Sequence, residues 1–198
     1  MANTFFKRLA LVLCTFLFGN LLFAQNNYKL KLKHSDVYAG IEVGSKGVKM
    51  SILEIGKNAQ KESTFNILSD TSSNTDFISF TLPNFSATLN SLYNFYNIAI
   101  SKYNIAPSKI YTVVSSGVKV QAEKSNNMAM VLKLVNDFKT KIKDPAREVA
   151  VIDVTDEARL SHLGIVPEER RYSTFLIDIG SGNTKGGFFP NGDTKTLR

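Results

Sequence analysis

Cysteine is almost missing from this chain of 198 residues, and the sole one, Cys14, lies in an N-terminal apolar run behind Leu13 rather than behind the small residue a lipid-attachment site needs. Once that run is removed, disulfides and thiol chemistry are excluded. Histidine is nearly as scarce: with only His34 and His162, and no cysteine in the mature part, a zinc site has no ligand set. No linker rich in proline or glycine divides the chain, and no basic stripe interleaved with aromatics, nor any helix-turn-helix pattern, points to nucleic acid. The net charge of +7 comes from scattered lysines, loosely gathered only at Lys139-Thr-Lys-Ile-Lys143, and describes a solvated surface. With 43% apolar and 21% charged residues, the rest is ordinary globular material, enough for one medium core or a domain plus part of another.

The first 24 residues differ from everything after them. Lys7-Arg8 makes a short basic start, Leu9 to Phe23 is apolar apart from Gly19-Asn20, and Ala24 offers a small residue for cleavage before Gln25. This reads as a signal for export to the periplasm or the cell exterior, with an imperfect Leu22 three residues before the cut. The run is short and broken for a membrane span, so an uncleaved anchor is the alternative, and membrane contact is expected through this segment alone. Cleavage would lower the net charge by two.

Past the signal, strands and helices alternate. Val37–Val43 and Val48–Ile55 read as a hairpin around Gly-Ser-Lys-Gly, a third strand follows near Thr64–Leu68, and the polar stretch Ser69–Asp76 reads as a surface loop. Apolar residues at helical spacing predict a helix from Asn84 to about Tyr103, after Pro83, and another from Asn126 to Ile142. Ile110–Val114 reads as a central parallel strand buried on both faces, and Val149–Val154 as a second buried strand. Thr155 is placed to cap a short helix over Asp156–Leu163, and a last hairpin joins Tyr172–Ile179 to Thr184–Phe189. The order β-β-β-α-β-α-β-α, then β-β, predicts a mixed α/β sheet covered on both sides. A lobe over residues 37–164, a crossing at Gly164–Arg171 and the start of a second lobe over 172–198 follow from it. Only the short tail to Arg198 comes after Phe189, too little for a second sheet with its helices, so a fragment of a longer protein is expected.

Chemistry concentrates in two glycine turns, each behind an apolar run and an acidic residue: Ala39-Gly-Ile-Glu-Val-Gly-Ser-Lys-Gly47 and Leu176-Ile-Asp-Ile-Gly-Ser-Gly-Asn-Thr184. Such turns let main-chain N–H groups converge on an anion, and a carboxylate at the strand end can hold hydrated Mg²⁺ beside a phosphate. Taken singly, either is more simply a hairpin turn. Ser115-Ser116-Gly117 can touch a phosphate, although a plain strand-to-loop turn is the simpler reading; His162 reads as a surface or interlobe residue.

The two hairpins Glu42-Val-Gly-Ser-Lys-Gly-Val-Lys and Asp178-Ile-Gly-Ser-Gly-Asn-Thr-Lys resemble the two phosphate motifs of the actin, heat-shock-chaperone and sugar-kinase superfamily. Thr155-Asp-Glu-Ala-Arg-Leu-Ser-His-Leu-Gly164, followed by Leu176-Ile-Asp-Ile-Gly, resembles the Glu-Ala-Arg-Leu segment of the exopolyphosphatase and guanosine pentaphosphate phosphohydrolase (Ppx/GppA) family. The resemblance runs from about Val37 to Phe189. It implies a ribonuclease-H-like, actin-like ATPase lobe and a phosphoanhydride hydrolase that uses Mg²⁺ and a polyphosphate or other phosphorylated anion in a cleft between two lobes. On the matching positions, Glu157 is the catalytic glutamate, Glu42 and Asp178 are the metal-side carboxylates, and Gly44, Ser45, Gly180, Ser181, Gly182, Asn183 and Thr184 grip phosphate. Oligomeric state stays open, a homodimer of the complete protein being one expectation.

Three departures stand against the family pattern. Glu42 occupies a position where the family has aspartate, Ser181 replaces a glycine, and Lys185 takes the place of a glutamate that supports metal or water. A charge reversal at Lys185 either repels Mg²⁺ or grips phosphate directly. Two alternatives therefore accompany the hydrolase: a catalytically inactive phosphate-binding or assembly module, and an actin-like or sugar-kinase-like ATP binder. Export disfavours the ATP binder, because ATP is scarce outside the cytoplasm. Glu157 also has a plain reading, as an acid at the positive end of its own helix.

Overall fold

A computed structural model of the chain describes residues 28–62, 64–190 and 192–198. The export segment expected over residues 1–24, Cys14 included, lies outside the described residues. Strand β1 (Ser35–Val43) folds back on β2 (Gly47–Gly56) in register from Ser35↔Gly56 to Val43↔Val48. A single helical turn, α1 (Ala59–Glu62), precedes β3 (Phe65–Asn74), which pairs antiparallel with β2. Strands β4 (Ile110–Val114) and β5 (Ala150–Val151) add in parallel beyond β1, giving the order β3-β2-β1-β4-β5. This is the mixed α/β, ribonuclease-H-like sheet that the sequence predicts.

Alternation along the strands builds the core. Ala39, Ile41 and Val43 of β1 and Val48, Met50 and Ile52 of β2 point to one face and are fully buried. Helix α2 (Leu82–Ser101) lays Leu92, Phe95, Tyr96 and Ala99 on that face, and α4 (Met128–Lys141) adds Val131, Leu134, Val135 and Phe138 behind it. Phe138 meets Tyr96 edge to face, 5.8 Å between ring centres.

Several expectations give way here. Helix α2 begins at Leu82 with Thr81 as its cap, so Pro83 lies inside the first turn, where no backbone donor is needed. β3 continues through the polar stretch to Asn74, because a ladder is made by main-chain groups and an edge strand tolerates outward Ser and Thr. A helix absent from the sequence reading, α3 (Ser116–Lys124), precedes α4, and the chain breaks between them at Asn126, whose φ of 56° is left-handed. β5 is shorter than expected because α5 (Val154–Ile165) starts early, capped by Asp153 rather than Thr155. Tyr111 of β4 is 63% exposed, so β4 is not buried on both faces.

A second, two-stranded sheet of β6 (Leu176–Ile179) and β7 (Thr184–Gly187) packs on α5. Fully buried His162 ties them, with Nε2 donating to the Thr174 carbonyl at 2.9 Å and its ring 4.6 Å from that of Phe189. It is an internal tether, not a surface residue. The outer face of this sheet leaves Ile177 and Ile179 in solvent.

One buried carboxylate secures the start of the lobe. Glu54 of β2 accepts the amides of Lys31 and Leu32, the Ser35 hydroxyl at 2.7 Å and the Asn66 amide. Burial raises the pKa of this carboxyl, but the bonds from Lys31, Ser35, Leu32 and Asn66 outweigh it and bring the value down to about 2. The stability it adds is complete above the ordinary value of 4.5 and is lost as pH falls through about 2. Glu54→Gln, which places an NH₂ group against two amide donors, is expected to lower the melting temperature by several degrees at pH 7. In melts across the pH range, its gap to the parent chain should narrow steadily between pH 4.5 and 2.

Candidate functional site

The first glycine turn is the β1–β2 hairpin loop. Gly44 and Gly47 bond each other at 2.8 and 3.3 Å, so neither glycine amide is left over for an anion. The loop presents Ser45, which is buried, and Lys46. The second turn joins β6 to β7 and is closed by the Gly180 amide on the Asn183 carbonyl at 2.9 Å. Both hairpin readings are therefore correct in form, and the tertiary fold then sets the two turns against one another.

They meet at the N-terminus of α3. A Cβ on Gly182 would collide with Ser45 Oγ and stand 3.2 Å from Gly117 Cα, while one on Gly117 would stand 3.0 Å from Ser45 Oγ. Only glycine lets the backbones of residues 117 and 182 approach this closely. The Asn183 side-chain amide donates to Ser116 Oγ at 2.9 Å. Ser115-Ser116-Gly117, weighed in the sequence as a plain turn, is thus the hub on which both turns rest. A serine cap followed by Val118 and Ala122 on one helical face was the signal for it.

Glu157 completes the cleft from the first turn of α5. Its carboxylate does not serve its own helix. Oε2 accepts the Ser116 amide at 2.7 Å, occupying the N-terminus of α3, and Oε1 lies 3.0 Å from Lys185 Nζ. The same ammonium is 2.9 Å from Asp178 Oδ2, its cross-strand partner in β6. Burial works against a charged Lys185, but the bonds and charges of Asp178 and Glu157 outweigh it and hold its pKa above the ordinary lysine value. Glu42, at the end of β1 opposite Lys49, is raised above the ordinary carboxyl value, first by burial and then by the charges of Glu157 and Asp178, against the pull of Lys49 and Lys185.

Ten residues were singled out in the sequence, and the fold gathers most of them. Glu42, Gly44, Ser45, Glu157 and residues 180–183 line one cleft of about 70 Å³, several times the space one ordered water requires. Asp178 stands behind it, joined through Lys185. Thr184 is exposed at the start of β7 and does not line the cleft.

A divalent ion does not fit the donor set as it is folded. Among the described residues no group of three or more His, Cys, Asp or Glu side chains is arranged to hold a metal. Asp178 and Glu157 turn their oxygens to an ammonium, and the environment of Glu42 opposes its ionisation.

No protein-family model matches the chain, and no curated protein does. Solved structures do. The chain superposes on the Aquifex aeolicus member of the Ppx/GppA family with a TM-score of 0.57 at 16% identity, over 83% of this chain and 49% of that one. It matches an exopolyphosphatase from Cytophaga hutchinsonii with a TM-score of 0.54 at 18% identity, over 80% and 48%, and an exopolyphosphatase-like protein with 0.55 at 15%, over 84% and 49%. The chain has a Ppx/GppA-like fold and spans about half the length of these structures.

Two outcomes are expected of the packed turns. Gly182→Ala should destabilise by about 1–3 kcal/mol through overpacking, and Ser45→Gly in the same chain should restore much of the loss, read as a coupling in a denaturation double-mutant cycle. Because the pKa of Glu42 is raised, its share of stability falls as pH climbs from 4.5 through the folded value. Glu42→Gln should therefore raise the melting temperature at pH 7 and leave it unchanged near pH 4.

Proposed function

We propose that this chain carries the phosphate-gripping part of a Ppx/GppA-like phosphohydrolase that removes terminal phosphate from polyphosphate or a related phosphorylated anion. The observation that carries the reading is the junction at α3: two glycine turns and a helix N-terminus converge within reach of one oriented carboxylate. The Gly44, Gly47, Gly180 and Ser116 amides are already bonded, so the phosphate oxygens fall to the ammonium of Lys185 and to the other main-chain donors of the two turns. In this reading residues 37–164 form the first lobe, and the sheet after residue 172 opens the second.

Glu157 is the group placed to act on water. Its bonds to the Ser116 amide and Lys185 fix its orientation. Water attacks the terminal phosphorus and gives its proton to Glu157, a new P–O bond forms, and the bond to the bridging oxygen breaks. That oxygen leaves with the electron pair on the shortened chain. The N-terminal basic and apolar segment supports an exported protein, and with it polyphosphate in preference to ATP.

A second reading, a phosphate-binding module without turnover, is favoured by the same two bonds, since both Glu157 oxygens already have partners. Phosphate release from polyphosphate, measured beside calorimetric binding of tripolyphosphate, separates the two. Turnover that falls by about 10²–10⁴-fold in Glu157→Gln, with binding retained, is the expected result. Binding without release selects the module; neither binding nor release overturns both.

A further inference from the structure

The cation within the candidate site is part of the chain itself. Lys185 projects inward from β7, its side chain 5% exposed, and its ammonium lies within hydrogen-bond reach of Asp178 and Glu157. A carboxylate pair converging on one point, with Glu42 nearby, is the arrangement a hard divalent cation seeks. Here that point is filled. A metal ion entering it has to displace a buried ammonium that the strand holds close by, and the two positive charges repel across a short, poorly solvated distance.

We infer that Lys185 takes the place of a divalent cation in this cleft, so that the site binds its phosphorylated anion without metal. The ligand class rests on the function proposed above; the exclusion of metal does not. Two N–H donors of the ammonium serve Asp178 and Glu157, and a third remains for a phosphate oxygen. The donor stands beside the second turn, since a Cβ on Gly180 would lie 4.0 Å from Nζ. Lysine meets phosphate as a point charge, the role that a metal ion otherwise fills. Because the bonds to Asp178 and Glu157 fix the ammonium, the positive charge is in position before any ligand arrives.

The test uses the full chain in two arms. In the first, tripolyphosphate is titrated in EDTA and again in excess Mg²⁺, and the two dissociation constants should agree within about twofold, whereas Lys185→Met should weaken binding by about tenfold or more. In the second, Mn²⁺ alone is titrated by electron paramagnetic resonance. The parent chain and Lys185→Arg should leave Mn²⁺ free, and Lys185→Glu should bind it. Thermal melts report whether each variant is folded, and Lys185→Gln, which also removes the charge but keeps a polar end, stands in if Lys185→Met is not. Binding that collapses in EDTA overturns the inference. So does Mn²⁺ captured by the parent chain and released by Asp178→Asn, or Mn²⁺ ignored by folded Lys185→Glu. If no chain binds tripolyphosphate, the proposed function fails while the Mn²⁺ arm still decides the role of Lys185.

Discussion

Glu157 joins three parts of the molecule through a single carboxylate. One oxygen caps α3, the other meets the ammonium of β7, and the helix that carries it packs on the second sheet. The amide it accepts belongs to Ser116, the residue that also takes the Asn183 side chain. Removing this carboxylate would leave an uncapped helix start and a buried ammonium with one partner fewer. The weaker pairing of a buried charge is the more serious of the two losses, although Asp178 still holds the ammonium. The cleft's geometry therefore depends on an electrostatic link between elements that are far apart in the chain.

The packing around that link is close because three small residues meet there. Ser45, Gly117 and Gly182 come from a hairpin, a helix start and a second hairpin, and neither glycine has room for a side chain without a shift. Behind them β1 and β4 are aligned in parallel, so that their ends, Val43 and Val114, deliver the first turn and α3 to the same edge. The Ser115 amide bonds the Val43 carbonyl at 3.0 Å and fixes that alignment. Apolar burial on one face of the sheet thus positions polar groups at its rim, where an anion can reach them.

Charge gives the cleft its character. Three carboxylates gather there or just behind, and two of them share one lysine that the fold keeps out of water. Glu42 bears the residual strain of the arrangement, its ionisation opposed by burial and by its acidic neighbours. The ammonium stands directly between Asp178 and Glu157, so attraction and repulsion for any anion act at the same point.

Much of this was legible in the residues. The β-rich run Val37–Val43 and the helical spacing of Leu89, Leu92, Tyr96 and Ile100 are local signals, and they specified the strands, the long helix and hence the class of fold. The glycine turns and Glu157 stood out because unusual backbone freedom and a helix-start acid leave marks in sequence. Helix α3 did not, since Ser-Ser-Gly is ambiguous until something accepts the Ser116 amide, and the acceptor lies 41 residues away. The extension of β3 through Ser and Thr was equally hidden, because main-chain pairing with β2 determines it. By itself the sequence settled which residues were suited to turn, bury or carry charge, for those are properties of single residues and their near neighbours. That Lys185 would sit between Asp178 and Glu157, and that two hairpin turns would touch at Gly117, was decided by long-range packing, which alone determines the distances on which electrostatic and steric effects depend.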